Sequence, residues 1–408
     1  MRYRFFINTT PMKAIKLLSL FCMLLFAACD PFESAKQREI ILDLPEIPFS
    51  YNVSGTSDHL PTLGRVLFYD PRLSINNSVS CASCHKQTLA FSDDAAFSRG
   101  FENRITSRNS MPIQNIISNL FAGIAIDHNL LIDSMATDSV KIDVNDPTVG
   151  AYLPGVFVSP DFFVQPTKLF WDGRENDLAI MVTRPIMNHI EMGISDLDIL
   201  AMKLSSIKEY NTLFINAFGN GEITKEKIST GLSAFLLSIR SNQSKFDKSL
   251  NLAINNSFNI NDGSSQLSAI EELGRQLFFD KFNCNSCHES NGFADIGLDA
   301  NPKDLGMSSI TGNTTQAGMF KIPSLRNVQL TGPYMHDGRF KTLEEVLQHY
   351  SHGISNSKNL DDRLRVNGKA KQMNMTDAEV KAIVSFLNTL TDYEMITDPK
   401  LSNPFKVK

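Results

Sequence analysis

The sequence predicts a mainly α-helical chain built as two related units joined by long connecting loops, and three observations predict it. The segment Leu63-Gly64-Arg65-Val66-Leu67-Phe68-Tyr69-Asp70 recurs as Leu273-Gly274-Arg275-Gln276-Leu277-Phe278-Phe279-Asp280, offset by 210 residues. A copy at a fixed offset marks two versions of one supersecondary unit. Apolar residues recur at helical spacing behind capping signals, while strand alternation is scarce. Each copy also leads into the same five-residue pattern, Cys81-Ala-Ser-Cys84-His85 and Cys284-Asn-Ser-Cys287-His288.

In chain order, Arg2, Arg4, Lys13 and Lys16 precede a twelve-residue run from Leu17 to Ala28, a charged n-region followed by an apolar h-region. The run is shorter than the roughly 20 residues a bilayer span needs, so residues 1–28 read as a signal peptide and the protein as exported. An uncleaved anchor is the plainer alternative. Phe26-Ala27-Ala28-Cys29 resembles a bacterial lipoprotein signal, which implies a lipidated Cys29 and a lipid-anchored protein of the periplasm or cell envelope. Removing residues 1–28 takes the formal charge from −5 to −9, which favours a basic partner surface.

Residues 29–59 follow as an N-terminal tether and 60–254 as the first unit. The polar stretch Asn255–Ser265 carries few apolar anchors and reads as a linker, leaving 266–408 as the second unit. Ser195 with Asp198 opens a helix through Ile207, and Ile223–Arg240 has apolar residues at helical spacing. Thr342 with Glu345 makes a capping box before Leu343, Val346, Leu347 and Tyr350. Thr376 with Glu379 makes another before Val380, Ile383, Val384, Leu387 and Leu390. The stretches 86–112, 127–170 and 289–336 are too long for simple connections and are expected to wrap cofactors.

The 408 residues suit two or three globular units at about 150 residues each. With 42% apolar and 20% charged residues the chain can bury a sizeable core. Lys+Arg 39 against Asp+Glu 44 leaves no basic stripe, which argues against nucleic acid as a partner.

Six cysteines occur, Cys22 and Cys29 in the leader and then Cys81, Cys84, Cys284 and Cys287. Two disulfides, or zinc or redox Cys-x-x-Cys pairs, are open to an exported protein, but neither needs a histidine next to the second cysteine. C-x-x-C-H is the attachment pattern for c-type haem: the thiols add to the vinyl groups and the adjacent imidazole becomes the proximal iron ligand. The chain's own Cys and His frequencies give on the order of 0.002 chance matches, so two matches point to two covalent c-type haems. The fold class is therefore two cytochrome c-like haem domains in one chain, with His85 and His288 as iron ligands.

A haem with one protein ligand can react, whereas a sixth protein ligand makes it an electron carrier. Candidates for that ligand at the second haem are Met307, Met319, Met335, His336, His349, Tyr350, His352, Met373 and Met375. Leu343, Val346, Leu347 and Tyr350 share one helical stripe, so Tyr350 points inward while His349 turns about 100° away beside Glu345. A core tyrosine with a hydrogen-bonded hydroxyl is the simpler alternative. His59, His128 and His189 have no distinguishing spacing and read as surface or structural residues.

Trp171-Asp172-Gly173-Arg174, Glu191-Met192-Gly193, Arg108-Asn109-Ser110 and Leu330-Thr331-Gly332-Pro333-Tyr334-Met335-His336-Asp337-Gly338-Arg339, ordered around the two C-x-x-C-H motifs, resemble the bacterial di-haem cytochrome c peroxidases and the related MauG-type enzymes. The resemblance runs from about Leu60 to Asp392. It implies that the His85 haem is peroxidatic and the His288 haem transfers electrons, with Trp171 between them as a relay. It implies that Glu191 is the distal general acid/base that moves a proton from one peroxide oxygen to the other. It implies an inter-haem calcium on the side-chain oxygen of Asn109 and the backbone carbonyls of Thr331 and Pro333.

Three positions depart from the typical peroxidase pattern. Tyr350 stands where an axial methionine is usual, fourteen residues after His336, and in this it is similar to MauG-type enzymes. Phe101 stands where a loop histidine blocks the peroxidatic haem, seven residues before Arg108. Met181 stands where a distal glutamine is usual, ten residues after Trp171.

The resemblance implies a cytochrome-c peroxidase-type oxidoreductase that reduces hydrogen peroxide to water with electrons from a small cytochrome c or copper protein. A MauG-like oxidase acting on residues of a partner protein is the second reading, and a non-catalytic electron-transfer cytochrome the third. A homodimer is the candidate assembly.

Overall fold

The structure, a computed structural model, describes residues 40–53, 56–116, 168–254, 267–288 and 292–407. The leader, Cys29, much of the 127–170 stretch and the expected linker 255–265 lie outside the described residues. Strands Ile40–Leu42 and Phe405–Val407 pair antiparallel, Ile40 opposite Val407, with a Lys406–Asp43 ion pair beside them. Residues 44–404 form a second compact unit, and it is mainly helical.

In that unit the repeated segment builds the same contact twice. Helix α1 (His59–Tyr69) ends where Pro71 cannot continue it, and Asp70 caps the next turn through Arg72 N at 2.8 Å. Helix α2 is Leu197–Ser205, α3 is Lys208–Phe218, and α4 is Lys225–Ser238, the last capped by the Thr224 hydroxyl. α1 packs on α4 so closely that a Cβ on Gly64 would lie 1.9 Å from the Gly231 carbonyl oxygen. Phe68, one turn on, joins Phe91 and Phe235 in an aromatic cluster with centroids 5.2–5.9 Å apart.

Helix α5 (Ala269–Gln276) starts on a Ser268–Glu271 capping box and runs into a π-turn at Leu277–Lys281. Helix α6 is Leu343–Gln348 and α7 is Asp377–Asn388, each opened by the expected capping box. α5 crosses α7 so closely that a Cβ on Gly274 would lie 1.9 Å from the Ala382 carbonyl oxygen, and Phe278 meets Phe386 at 5.5 Å. Only glycine lets the backbones approach this closely. The repeat therefore encodes one helix crossing, with glycine at the contact and phenylalanine four residues later. The copies differ at their ends: Asp70 is fully buried and accepts from the Tyr210 hydroxyl at 2.7 Å, while Asp280 is exposed.

Helix Lys245–Ile254 precedes the expected linker, yet it sends Phe246 onto Phe386 at 5.3 Å and pairs Asp247 with Arg326 through two 2.7 Å bonds. The chain's end returns to α1, where Tyr69 and Arg65 donate to the Leu401 and Ser402 carbonyls.

Two local expectations change. The helix expected to open at Ser195 is capped by Asp196, whose extended backbone lets its carboxylate reach Asp198 N at 2.8 Å; the helix stops at Ser205, and Ile207 precedes the next helix. His349, expected to face away beside Glu345, is buried, because the chain after α6 passes into a π-turn at His349–Gly353. The extra residue in that turn rotates the helical stripe.

Candidate functional site

The first Cys-x-x-Cys-His motif occupies a single helical turn, Cys81–Cys84, held by a reciprocal Ser80–Ser83 capping box. His85 N closes on Cys81 O at 2.9 Å. A tight return through Ala90 and Phe91, both at positive φ, brings the Phe91 carbonyl 2.9 Å from His85 Nδ1. A carbonyl can only accept, so Nδ1 carries the proton and Nε2 keeps its lone pair. Burial also pushes the imidazole's pKa down, favouring the neutral ring a metal needs. Burial pushes the Cys81 thiol up to about 12 and the Cys84 thiol to about 11.

Beside this motif lies a cavity of about 310 Å³, lined by Cys81, Cys84 and His85 and also by Trp171, Arg174, Met181, Asn188, Glu191 and Met192. The four motif cysteines form no disulfide. Neutral imidazole, reduced thiols one turn apart and the adjoining cavity fit a covalently attached haem.

Glu191 sits in a turn after the short helix Arg184–Met187, its N–H and those of Met192 and Gly193 all donating to Asn188 O. Asn188 Nδ2 donates to Glu191 Oε1 at 2.7 Å. Burial raises the Glu191 pKa, while the Arg174 charge and the Asn188 amide oppose that rise. A carboxyl tuned upward on a cavity wall suits proton transfer.

Phe101 is buried and packs over Gly193, where a Cβ would come 2.5 Å from its ring; Arg104 lies 4.3 Å above the same ring. Phe101 N donates to Glu191 O at 2.9 Å, so this segment is fastened to the Glu191 turn. Met181 is buried on the cavity wall.

Trp171 Nε1 donates to Asn109 O at 2.9 Å, and Asn109 N donates to His336 O at 2.7 Å. The Trp171 carbonyl accepts from Lys321 N at 2.8 Å. Buried Asp172 takes Arg108 at 2.5 Å and Arg174 at 3.0 Å, and Arg108 reaches on to Asp304 at 2.7 Å. Lys321 also lines the cavity, and burial pushes its ammonium pKa down to about 8.

The second motif follows the π-turn: Cys284 N bonds Phe278 O at 2.8 Å and His288 N bonds Cys284 O at 3.2 Å. His288 Nδ1 donates to Pro323 O at 3.2 Å, the same arrangement as at His85, and burial lowers its pKa. Burial pushes the Cys284 thiol up to about 12. Tyr350 is placed where burial, and then the Cys287 and Cys284 thiols, push its phenol above the ordinary tyrosine range.

Tyr350 also packs against the α5–α7 core, and the other candidate ligands lie as follows. His349 Nε2 meets Ile296 O at 2.9 Å, and His336 stacks on Phe320 at 3.7 Å. Met375 is buried in the α5–α7 core with Met373 packed against it, and His352 is exposed. Met307, Met319 and Met335 are half-buried. Asn109 and Thr331 are buried and Pro333 is half-buried. Asn109 Nδ2 donates to the Ala95 and Ala96 carbonyls at 3.2 and 3.4 Å. Among the described residues no group of three or more His, Cys, Asp or Glu is arranged to hold a metal ion.

Sequence reasoning missed Asn188, Lys321 and the two orienting carbonyls of Phe91 and Pro323. An Asn three residues before Glu191 was a usable clue to a side-chain-capped turn. No clue marks a backbone carbonyl, which any residue supplies.

The chain is similar to known proteins over most of its length. The chain is 30% identical over 348 residues to the methylamine utilization protein MauG of Methylorubrum extorquens, covering 83% of this chain and 80% of that one. It is 27% identical over 349 residues to the cytochrome c551 peroxidase of Nitrosomonas europaea, covering 83% and 82%. A crystal structure of a MauG-like protein associated with microbial copper homeostasis superposes with a TM-score of 0.65 at 28% identity, covering 89% of this chain and 99% of that one. The family model described as di-haem cytochrome c peroxidase matches residues 59–253 and 268–398, and the chain belongs to that family of di-haem oxidoreductases.

Proposed function

We propose that the protein reduces hydrogen peroxide to water at the cavity facing His85, with electrons delivered singly by a small cytochrome c or copper protein through the His288 site and Trp171. The observation that carries this reading is Glu191, a buried carboxyl with an upward-shifted pKa that lines the same cavity as Cys81, Cys84 and His85. Cys81, Cys84 and His85 hold one haem; Cys284, Cys287 and His288 hold the other, with Tyr350 as the latter's sixth ligand. Haem iron, when bound, supplies the electrons that peroxide cleavage consumes.

The chain's own residues then handle the protons. Glu191 accepts the proton of the peroxide oxygen nearer His85 and returns it to the outer oxygen, which leaves as water; two electrons and two protons balance one peroxide against two waters. Phe101, tied down over Gly193, leaves the cavity without a loop ligand, so the oxidised protein reacts without prior reduction. Asn109, Thr331 and Pro333 contribute oxygens to a calcium between the two sites, hard donors suited to a hard cation. Residues 1–28 direct export and Cys29 carries the lipid.

Tyr350 favours a second reading, a MauG-like oxidase that withdraws electrons from a partner protein, because a phenolate ligand stabilises oxidised iron where methionine would not.

Stopped-flow spectroscopy of the ferric di-haem protein mixed with peroxide, with and without reduced cytochrome c, tests both. Rapid spectral change at one haem, followed by turnover of the reduced cytochrome, supports the peroxidase. A long-lived oxidised product that ignores the cytochrome supports the oxidase. Glu191→Gln slows the first step by roughly 10²–10⁴; a wild-type rate in that variant removes Glu191 from the chemistry. A low-spin spectrum at both ferric haems would contradict the open cavity.

A further inference from the structure

The turn that carries Glu191 is organised around one side chain with no role in the account above. Asn188 Oδ1 accepts from Ile190 N at 2.8 Å, and Asn188 Nδ2 donates to Glu191 Oε1 at 2.7 Å. A backbone N–H can only donate, so the Ile190 bond fixes which end of the amide is oxygen and leaves the N–H₂ aimed at the carboxylate. The Asn188 backbone carbonyl takes the N–H groups of Glu191, Met192 and Gly193 at 3.1, 3.1 and 2.9 Å. From the other side, Phe101 N holds Glu191 O at 2.9 Å, Arg104 holds His189 O at 2.6 Å, and a Cβ on Gly100 would lie 1.8 Å from Ile190 O. The backbone under Glu191 is thus clamped, and the remaining freedom lies in the Glu191 side-chain torsions, which the Asn188 amide restrains.

We propose that Asn188 is the positioning residue of the peroxide site: its amide ties Glu191 Oε1 and so turns Oε2 toward the cavity beside Cys81–His85. The proposal rests on the reading of Glu191 as the proton shuttle. A carboxylate that must take a proton from one oxygen and return it to its neighbour gains from a fixed free lone pair, since a misaligned group loses rate steeply. The short bond to an ionised acceptor is of the stronger, charge-assisted kind. Met181, also on the cavity wall, carries a thioether and has no N–H to offer, so the amide on this carboxylate comes from Asn188.

The charged and titratable groups around Glu191 include Arg174 from the Trp171 turn, whose charge acts on it directly, the Cys81 and Cys84 thiols, which sense it in return, and His85 on the same cavity. Arg108 and Lys321 line the same cavity. None of these is altered by a change at position 188, and the Asn188 N–H₂ favours the ionised form of Glu191.

The test uses Asn188→Asp, in which an oxygen still accepts from Ile190 N while the donor to Glu191 becomes a second carboxylate oxygen, and Asn188→Ser as a second variant that also keeps an acceptor. Infrared difference titration of the di-haem protein without peroxide reads the Glu191 carboxyl, identified by the band lost in Glu191→Gln. In Asn188→Asp its midpoint is expected at least about one pH unit higher, a tenfold change in proton affinity, and the acid limb of the peroxide rate moves upward with it. Asn188→Ser moves both in the same direction by less. Haem content and resting spectra stay those of the parent. Wild-type midpoints and pH–rate profiles in both variants, beside a slow Glu191→Gln, would overturn the role of Asn188 alone. A Glu191→Gln variant that reacts at the parent rate overturns the shuttle and this proposal together.

Discussion

The carbonyl of Pro323 accepts the Nδ1 proton of His288 at 3.2 Å, and Pro323 itself lines the cavity that His85 faces. One residue therefore touches both proposed haem sites. Two residues earlier, Lys321 N bonds the Trp171 carbonyl, and the Trp171 indole bonds Asn109. From His288 a path of hydrogen bonds and backbone therefore runs through Pro323, Lys321 and Trp171 to Asn109, which lines the same cavity as His85.

Trp171→Phe tests that path. Phenylalanine keeps an aromatic wall but loses the indole donor to Asn109. Peroxide consumption at the first haem is expected to continue while oxidation of the second haem slows. Stopped-flow spectra that resolve the two haems check this; an unchanged second phase would make Trp171 a packing residue.

Tyr350→Phe removes the proposed oxygen ligand and leaves the ring in the core. The second haem's spectrum is expected to change and its reduction potential to rise, because an anionic phenolate stabilises the oxidised iron. Redox titration followed by absorbance measures both. An unchanged spectrum redirects attention to Met373, Met375 and His352.

Gly64→Ala and Gly274→Ala place a methyl group 1.9 Å from a facing carbonyl oxygen at equivalent helix crossings. Each is expected to cost about 1–3 kcal/mol or more, as overpacking does. Denaturant unfolding of the di-haem protein measures it. A neutral result at either position would mean the crossing can slide apart.

Asp247→Asn breaks the buried pair with Arg326. Burial opposes ionisation of Asp247, yet the two-bond contact with Arg326 wins and holds its pKa below the ordinary value. Losing one partner of such a pair typically costs about 3–5 kcal/mol. A carboxylate with a depressed folded pKa stabilises in full above its unfolded value near 3.9, and that contribution fades as pH falls through the lower folded value. The gap in stability between parent and variant is thus expected to be constant at neutral pH and to close below about pH 4. Unfolding midpoints across that range check it.

The haem motifs were legible because attachment chemistry is local: two thiols and an imidazole within five residues declare themselves wherever the chain goes. The capping boxes at Thr342 and Thr376 were legible for the same reason, each being a three-residue reciprocal bond. His349 was misjudged because an α-helical wheel cannot foresee a π-turn, whose extra residue is selected by the packing around it. Phe246 and Asp247 join the C-terminal core although the polar stretch that marks the expected linker comes after them, because polarity reports solvation and not which core a neighbouring helix enters.

By itself, the sequence determined a mainly helical, twice-repeated chain with two covalent haem attachment points, and through its motifs the family. Tertiary structure alone decided that the Phe91 and Pro323 carbonyls orient the two imidazoles, that Gly64 and Gly274 serve as contact points, and that Asn188 holds Glu191. These are contacts made by backbone atoms, or by residues brought together by folding, and side-chain identity does not write such contacts into a linear pattern.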